Sequence, residues 1–422
     1  MGNARSDNTD IRYITEDELP AWDRAVARGF LRPHVAEGVE FRRLQFEPNR
    51  FQGAFDPFDP ARCVATFRSF DTELTVPGGG TVRADAITGV TVNSTHRRRG
   101  LLSRMMTTDL ADAHRRGCPV AILIAAEYNI YGRFGFGPAT VNSGLRIDVL
   151  ESGGLRAELP ESPGGRVDFV TMAELRELGP DLHERWRRTQ PGAIARKPYW
   201  WRLATGEATL PGFDWKEPFA ALHRDASGTV TGLIVYRLDD KWDGPAPDCT
   251  LTVADFVALD APTAVALWRL AFSVDWVRTV EITNLAPDDP LPLWLNDPRM
   301  ARPGPECSDF TWLRVLDVPA AFAARRYGAP GRTVLAVTDP YGWADGHWAL
   351  EVAPDGTGRC TRTEEPAELA LGAGPLGSLY LGAETLPRLV AGGLVTELLP
   401  GAAARADLLL RTPLRAWNPD GF

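Results

Sequence analysis

The chain has 422 residues, of which 44% are hydrophobic and 24% are charged, and its net charge is −9 at pH 7. This length predicts two or three domains rather than a single core. The negative charge argues against nucleic acid as a partner, and the sequence contains no run of about 18 apolar residues that could cross a membrane.

Cysteine and histidine usage points to a metal-free protein in a reducing compartment. The five cysteines are odd in number and form no C-x-x-C pair, which predicts free thiols rather than a disulfide framework or a structural zinc site. The six histidines show no metal-ligand spacing. Since no apolar leader segment follows Met1, we expect a cytoplasmic protein.

The N-terminal part predicts a helix followed by two antiparallel strands. Residues 15–18, Thr-Glu-Asp-Glu, form a capping box for a helix that continues to Phe30. Residues 63–74 alternate as a strand, residues 77–80 form a glycine-rich turn, and Thr81–Val92 returns as the next strand.

Three arginines and a glycine, residues 97–100, follow that strand and precede an amphipathic helical pattern. Backbone N–H groups at a helix N-terminus lack intrahelical partners, and Gly100 lets a ligand approach the backbone. The loop is therefore a candidate pyrophosphate site. On spacing alone, a solvent-exposed charged loop is an equally good interpretation.

An apolar run at residues 119–126 predicts a buried strand, and the string EYNIYGRFGF follows it. This part of the chain resembles the cofactor half of the GNAT superfamily of N-acetyltransferases. The resemblance lies in the order strand, R-x-x-G loop, helix, strand, followed by Y-x-R-x-G-F. Leu102 stands where that superfamily usually has glycine or alanine. The fuller strings THRRRGLL and IYGRFGFGPAT, together with the chain length, resemble the enhanced-intracellular-survival (Eis) family.

The predicted elements in the middle of the chain follow the same order as those of the first part, but no R-x-x-G loop precedes the helix. Asp260 occupies the place of the arginine loop and would repel a pyrophosphate, so we interpret this part as a second, degenerate GNAT-like domain without cofactor. The predicted elements are a helix at 172–188, strands at 219–223, 231–237 and 251–259, a helix at 261–273 and a strand at 279–283.

Residues 287–305 are rich in Pro, Gly and Asp and predict a linker. The α+β pattern beyond them is similar to the sterol-carrier-protein-like domain that ends Eis-family chains. The predicted fold class is therefore α/β (α+β), with two GNAT-like domains that have mixed central sheets and a C-terminal sterol-carrier-protein-like domain. The expected domain ranges are 1–150, 151–300 and 301–422.

The resemblance implies acetyl-CoA as co-substrate and no metal. In this fold the pantetheine arm pairs with the strand after Val90, and the loop N–H groups hold the pyrophosphate. The cofactor-binding residues implied in this way are Val90, Thr91, Val92, Arg97, Arg98, Arg99, Gly100, Leu101, Leu102, Ser103, Ala126 and Glu127.

The resemblance also implies two catalytic groups. A tyrosine hydroxyl, with an ordinary pKa of about 10, can protonate a departing thiolate, and motif position gives this role to Tyr131, with Tyr128 as the local competitor. Eis-family enzymes use the C-terminal α-carboxylate as the base, which here belongs to Phe422. An α-carboxylate is a weak base unless burial raises its pKa, so Glu127 remains the alternative.

The resemblance implies acetyl transfer to the primary amines of a small molecule, aminoglycosides or other polyamines, by a homohexamer. We expect no nucleic-acid or membrane partner. Arg32 near the first helix and Gly421 before the chain end remove negative charge that would favour a polycation. Two alternatives are a protein lysine acetyltransferase and a lipid- or sterol-binding carrier with a vestigial transferase site.

Overall fold

The computed structural model describes residues 9–209, 212 and 214–422. The chain start, where we expect no leader segment, lies outside the described residues. The N-terminal part forms β1 (Asp10–Tyr13), α1 (Leu19–Gly29), α2 (Gly38–Arg43), β2 (Phe51–Asp56), β3 (Asp59–Thr75), β4 (Thr81–Val92), α3 (Leu101–Arg115), β5 (Val120–Ile124), α4 (Tyr128–Tyr131) and β6 (Gly137–Pro138).

The middle part forms β7 (Val141–Asp148), β8 (Arg166–Phe169), α5 (Met172–Arg187), α6 (Pro198–Ala204), β9 (Phe219–Arg224), β10 (Val230–Leu238), β11 (Trp242–Asp243), β12 (Ala246–Pro247), β13 (Cys249–Ala258), α7 (Ala261–Ser273), β14 (Val277–Leu285), α8 (Leu291–Trp294) and β15 (Ala301–Asp309).

The C-terminal part forms β16 (Thr311–Val315), α9 (Val318–Ala324), β17 (Gly331–Thr338), β18 (Gly346–Val352), β19 (Gly358–Arg362), β20 (Leu369–Gly372), α10 (Ala373–Tyr380), α11 (Leu386–Ala391), β21 (Val395–Glu397) and α12 (Ala402–Leu410). Among the residues described, no helix combines the length and the apolar character needed to span a bilayer.

The two larger sheets are mixed, which confirms the predicted fold class. The first has the strand order β1-β2-β3-β4-β5-β16-β6, and the second has the order β15-β7-β14-β13-β10-β9-β8. Each contains one parallel pair, β4–β5 and β13–β14, among antiparallel neighbours. The third sheet, β19-β18-β17-β20-β21, belongs to the C-terminal part.

The sheets divide the chain differently from the predicted domain ranges. β7, expected in the first domain, pairs with β14 and β15 in the second sheet, while β16, expected in the third domain, lies between β5 and β6 of the first sheet. The boundaries at 150 and 300 therefore do not coincide with the sheets, because a local pattern predicts a strand but not its partner.

The predicted linker at 287–305 is wrong, because α8 and the first half of β15 lie in it. β15 is an edge strand that pairs with β7 through Ala301–Pro303 and Cys307–Asp309. An edge strand tolerates a residue such as Pro303, since one side of the strand makes no ladder hydrogen bonds.

A continuous core joins the C-terminal part to the first sheet. Phe70, Val82 and Ile122 of the first sheet pack in the same buried cluster as Leu371 and Leu410. The other face of the first sheet is covered by α3, whose buried residues include Met105, Met106 and Leu110.

A buried ion pair joins β16, which lies in the first sheet, to the segment that follows β17. Arg314 on β16 donates to both carboxylate oxygens of Asp339, at 2.9 and 2.8 Å, and both side chains are 0% exposed. Burial raises the pKa of Asp339, but the backbone N–H of Ala344 and the Arg314 guanidinium outweigh it, so the pKa lies below its ordinary value.

We expect Asp339→Ala to lower the free energy of unfolding by about 3–5 kcal/mol, because it leaves Arg314 buried without a counter-charge. The matched control is Glu351→Ala, whose pair with Arg332 is exposed and contributes about 0–1 kcal/mol. Denaturant unfolding measures both. Equal midpoints for the two variants would show that the buried pair contributes no more than the exposed one.

Candidate active site

A slot opens between β4 and β5 because the two strands pair over only part of their length. Their parallel register runs from Ala84 opposite Val120 to Ile87 opposite Leu123. Beyond Ile87, the edge of β4 that faces β5 has no strand partner in the described chain, so its peptide groups can pair with an extended polyamide.

Gly89 gives β4 its shape at the start of this slot. The register between β3 and β4 shifts between Thr66 and Arg68, and Gly89 has a left-handed φ of 61°. A Cβ at this position would lie 3.2 Å from the ring of Trp22. The left-handed φ therefore favours glycine in the bulge, and a Cβ would in addition crowd the Trp22 ring.

The arginine loop forms a concave run of N–H groups at the start of α3. Arg98 and Gly100 both have left-handed φ values, 62° and 75°, and no side chain caps the helix. The N–H groups of Leu101, Leu102 and Ser103 lie in the first turn, where no intrahelical acceptor exists. Arg97, Arg98 and Arg99 are exposed around them, which suits an anion.

The predicted cofactor residues contribute to this site in different ways. Thr91 is buried and hydrogen-bonds Thr66 at 2.7 Å, and Leu101 packs in the core beneath α3, so each offers only its backbone. Val90 and Val92 are half-buried along the slot. Leu102 and Ser103 are half-buried, and Ala126 and Glu127 are exposed.

Tyr131 and Tyr128 lie at opposite ends of α4 in different environments. Tyr131 is 8% exposed and packs edge-on against Phe136. Burial and the nearby Glu127 carboxylate raise the pKa of Tyr131 to about 12. Tyr128 is 62% exposed and packs against Trp312. The raised pKa keeps the Tyr131 hydroxyl protonated at neutral pH.

The chain end is held against the first sheet. The ring of Phe422 packs edge-on against Phe70 of β3, with centroids 5.9 Å apart. Two residues earlier, Asp420 is 1% exposed and pairs with Arg196 at 2.8 Å. Arg196 also binds the Asp255 carboxylate on β13 through two hydrogen bonds of 2.7 and 2.9 Å.

Uncharged groups fix the rest of the C-terminal segment. The Asn418 side chain donates to the Asp420 carbonyl at 3.0 Å and accepts from the Asp420 N–H at 3.1 Å. Trp417 donates from its indole to Asn284 at 2.6 Å and from its backbone to the carbonyl of Pro191 at 2.8 Å. The segment is therefore held by specific hydrogen bonds as far as Asp420, unlike a frayed terminus.

The sequence is similar to known families over most of its length. It matches an acetyltransferase (GNAT) domain over residues 10–139, a second acetyltransferase (GNAT) domain over residues 192–315 and a sterol carrier protein domain over residues 318–419. An uncharacterized N-acetyltransferase of Streptomyces griseus is 48% identical over 419 residues, which cover 98% of this chain and 99% of the relative.

Named relatives and a solved structure narrow the family. The N-acetyltransferase Eis of Mycobacterium tuberculosis is 38% identical over 332 residues, 76% of each chain. The chain belongs to the Eis family of GNAT N-acetyltransferases. In agreement, the crystal structure of Eis1 from Mycobacterium abscessus superimposes with a TM-score of 0.84 at 31% identity, covering 98% of this chain and 100% of that one.

GNAT enzymes of the Eis family take their acetyl group from acetyl-CoA, and the residues here fit that molecule. The slot offers β4 peptide groups to an extended polyamide, and the loop offers N–H groups and arginines to a pyrophosphate. A Cβ added to Gly100 would meet nothing within 4 Å, so the space in front of the loop is open.

In the second GNAT-like domain of this Eis-family chain, a carboxylate takes the place of the loop. Asp260 accepts a hydrogen bond of 2.8 Å from the Thr263 N–H and caps α7. A negative charge therefore lies where the first domain presents uncapped N–H groups.

Arg196 and Asp255 were not identified by sequence reasoning. Arg196 lies 224 residues from Asp420, and nothing in the local pattern of either segment indicates the contact. The sequence signal that could have indicated it is the acidic residue Asp420 beside the chain end.

Replacing Arg98 and Arg99 together by alanine removes two charges from the loop. We expect the KM for acetyl-CoA to rise at least about tenfold through lost charge-assisted hydrogen bonds, as measured by thiol release. Arg115→Ala, at the exposed far end of α3, is the control. Unchanged CoA affinity in titration calorimetry would exclude the loop as the phosphate site.

Proposed function

We propose that this chain transfers the acetyl group of acetyl-CoA to a primary amine of a small molecule. The observation that carries the proposal is the edge of β4 beyond Ile87, which is unpaired on the side of β5 and is followed along the chain by the arginine loop at residues 97–100. In the reaction, a bond forms between the amine nitrogen and the acetyl carbon as the carbon–sulfur bond breaks.

Tyr131 supplies the proton that the departing thiolate requires. Because its pKa is raised to about 12 by burial and by Glu127, its hydroxyl stays protonated through the neutral range. The hydroxyl has no hydrogen-bond partner among the described residues, so its proton is free to be donated to a substrate atom. Solvent restores the proton after turnover.

Tyr131→Phe keeps the ring and removes the proton. We expect kcat to fall about 10²-fold or more while the KM for acetyl-CoA stays near normal. Tyr128→Phe is the matched control, since its ring lies on the exposed end of the same helix. If Tyr128→Phe loses activity and Tyr131→Phe does not, the acid is Tyr128.

The α-carboxylate of Phe422 accepts the amine proton in this proposal. Its support is the buried anchoring of Asp420 and the packing of Phe422 on Phe70, which hold the chain end beside the sheet that bears the slot. Glu127 is the alternative base, but its side chain is exposed at the start of α4.

Extending the C-terminus by Gly-Ser moves the charge away from Phe422. We expect kcat/KM to fall by about 10²-fold or more, the size of a lost general base, with no change in thermal melting. The same dipeptide added before Met1 is the control. Full activity in the C-terminally extended enzyme would leave Glu127 as the base.

The acceptor expected from the family resemblance is an aminoglycoside or another polyamine, with protein lysine as the alternative. The same resemblance predicts a cytoplasmic homohexamer, whose mass light scattering would measure. The carrier hypothesis stays an alternative: Leu371 and Leu410 of the C-terminal part pack in the core shared with the first sheet, but Ala373, Pro375 and Leu389 line a cavity of about 1310 Å³.

A further inference from the structure

A pocket of about 320 Å³ lies between the chain segment after α2, strand β3 and the start of α6. The charged groups in its lining are Glu47, Arg68, Lys197 and Arg202, and the apolar side is formed in part by Phe70. Cations therefore outnumber carboxylates by three to one in the lining of this pocket, in a chain whose net charge is −9.

Arg68 is the unusual member of this group. It is 5% exposed, and no carboxylate of the described chain lies within 4 Å of it. One terminal nitrogen donates to Gln45 Oε1 at 2.9 Å, while the buried Nε has no partner. The guanidinium lies 5.2 Å from the ring centres of both Phe51 and Phe70, which holds it in place.

The neighbours of Arg68 offset only part of the cost of burying its charge. Burial lowers its pKa, and the Tyr199 hydroxyl and the Glu47 carboxylate offset this only in part, so the pKa lies below its ordinary value. Burial lowers the pKa of Arg314 and of Arg325 as well, but Arg314 has Asp339 as its partner and Arg325 donates to the carbonyls of Tyr380 and Leu410. A buried cation without an anion is costly unless a ligand supplies one.

The other two cations leave the pocket positive. Lys197 has no ion pair within the described residues. The nearest carboxylate to Arg202 is that of Glu207, which lies 3.8 Å away and is 43% exposed. Such a pair in solvent contributes little, so it does not cancel the charge that faces the pocket.

The pocket borders the proposed reaction site. Phe70, which lines it, contacts the ring of Phe422. Arg68 lies opposite Thr88 in the β3–β4 register, one residue before the bulge at Gly89. A substrate whose amine reaches the chain end can therefore extend into this pocket.

We propose that this pocket binds an anionic group, a carboxylate or a phosphate, of the acceptor amine. The inference rests on the proposed function and narrows its substrate class: the preferred acceptor carries its amine and an anion on one molecule. A polycation such as an aminoglycoside would place positive charge against Arg68, Lys197 and Arg202. This inference therefore opposes the acceptor expected from the family resemblance.

The test uses five-carbon amines that differ only in the group at the far end: 1-aminopentane, 1,5-diaminopentane and 5-aminopentanoate, with 3-aminopropyl phosphate to separate phosphate from carboxylate. We expect kcat/KM for at least one of the two anionic amines to exceed that of 1-aminopentane by at least about tenfold. 1,5-Diaminopentane should be the poorest acceptor.

Three variants test whether the residues of the pocket cause the preference for an anionic acceptor. Arg68→Met should reduce the ratio of anionic to neutral acceptor to near one, with the KM for acetyl-CoA unchanged. Lys197→Gln, at a half-buried position, should reduce the ratio severalfold and serves where Arg68→Met does not fold. Arg299→Gln, whose side chain is 86% exposed and outside the pocket, should keep the ratio of the parent enzyme.

The outcomes separate this inference from the proposed function. Preference for 1,5-diaminopentane, or an anion preference that survives both pocket variants, overturns the inference and leaves the transferase intact. If no acceptor releases thiol, the proposed function fails, and titration calorimetry with 5-aminopentanoate and 3-aminopropyl phosphate still decides the pocket. The pocket is supported if either anion binds and Lys197→Gln weakens that binding. The pocket is rejected if neither anion binds.

Discussion

Arg196 is the side chain through which the chain end, the second sheet and the first sheet are held together. It pairs with Asp255 on β13 and with Asp420 near the C-terminus, while Ile194, two residues earlier, bridges to Leu74 on β3. Removing one arginine and two carboxylates from water costs several kcal/mol per ion, which their attraction offsets only when both pairs are complete. The position of Asp420, two residues before the terminal carboxylate, therefore depends on a cation in a different domain.

The exchange of strands between domains gives that contact its geometry. β16 completes the first sheet between β5 and β6, so the C-terminal part begins on the sheet that bears the slot. Because the core continues from this sheet through Leu371 to Leu410, the segment after α12 starts close to the first domain and reaches Phe70 without a long excursion. The third domain thus positions the chain end against the first sheet.

Local signals explain what could be predicted from the sequence. The strand Thr81–Val92 and the helix Ala261–Ser273 have the predicted bounds, since periodicity and the caps lie within each segment. Three features could not be predicted, because each depends on a partner distant in sequence. They are the pairing of β7 and of β16, the strand at 301–309 in the proline-rich segment, and the contact between Arg196 and Asp420. The unpaired state of Arg68 is likewise visible only once its neighbours are known.

The charged groups that line the pocket proposed for the anion of the acceptor are mainly cations, whereas the whole molecule has a net charge of −9. An acidic surface attracts amines in general, yet it acts at a distance and is screened beyond about 10 Å at 0.1 M salt. Arg68 in the pocket is buried, so salt screens its charge less. This charge therefore acts strongly on acceptor groups within a few ångströms. Asp23, a buried carboxylate on α1, pairs with Arg42 at 3.2 Å and faces His34 at 3.4 Å, so it offers little to a polycation. The long-range field therefore concentrates amines, and the short-range charges select among them those that also carry an anion.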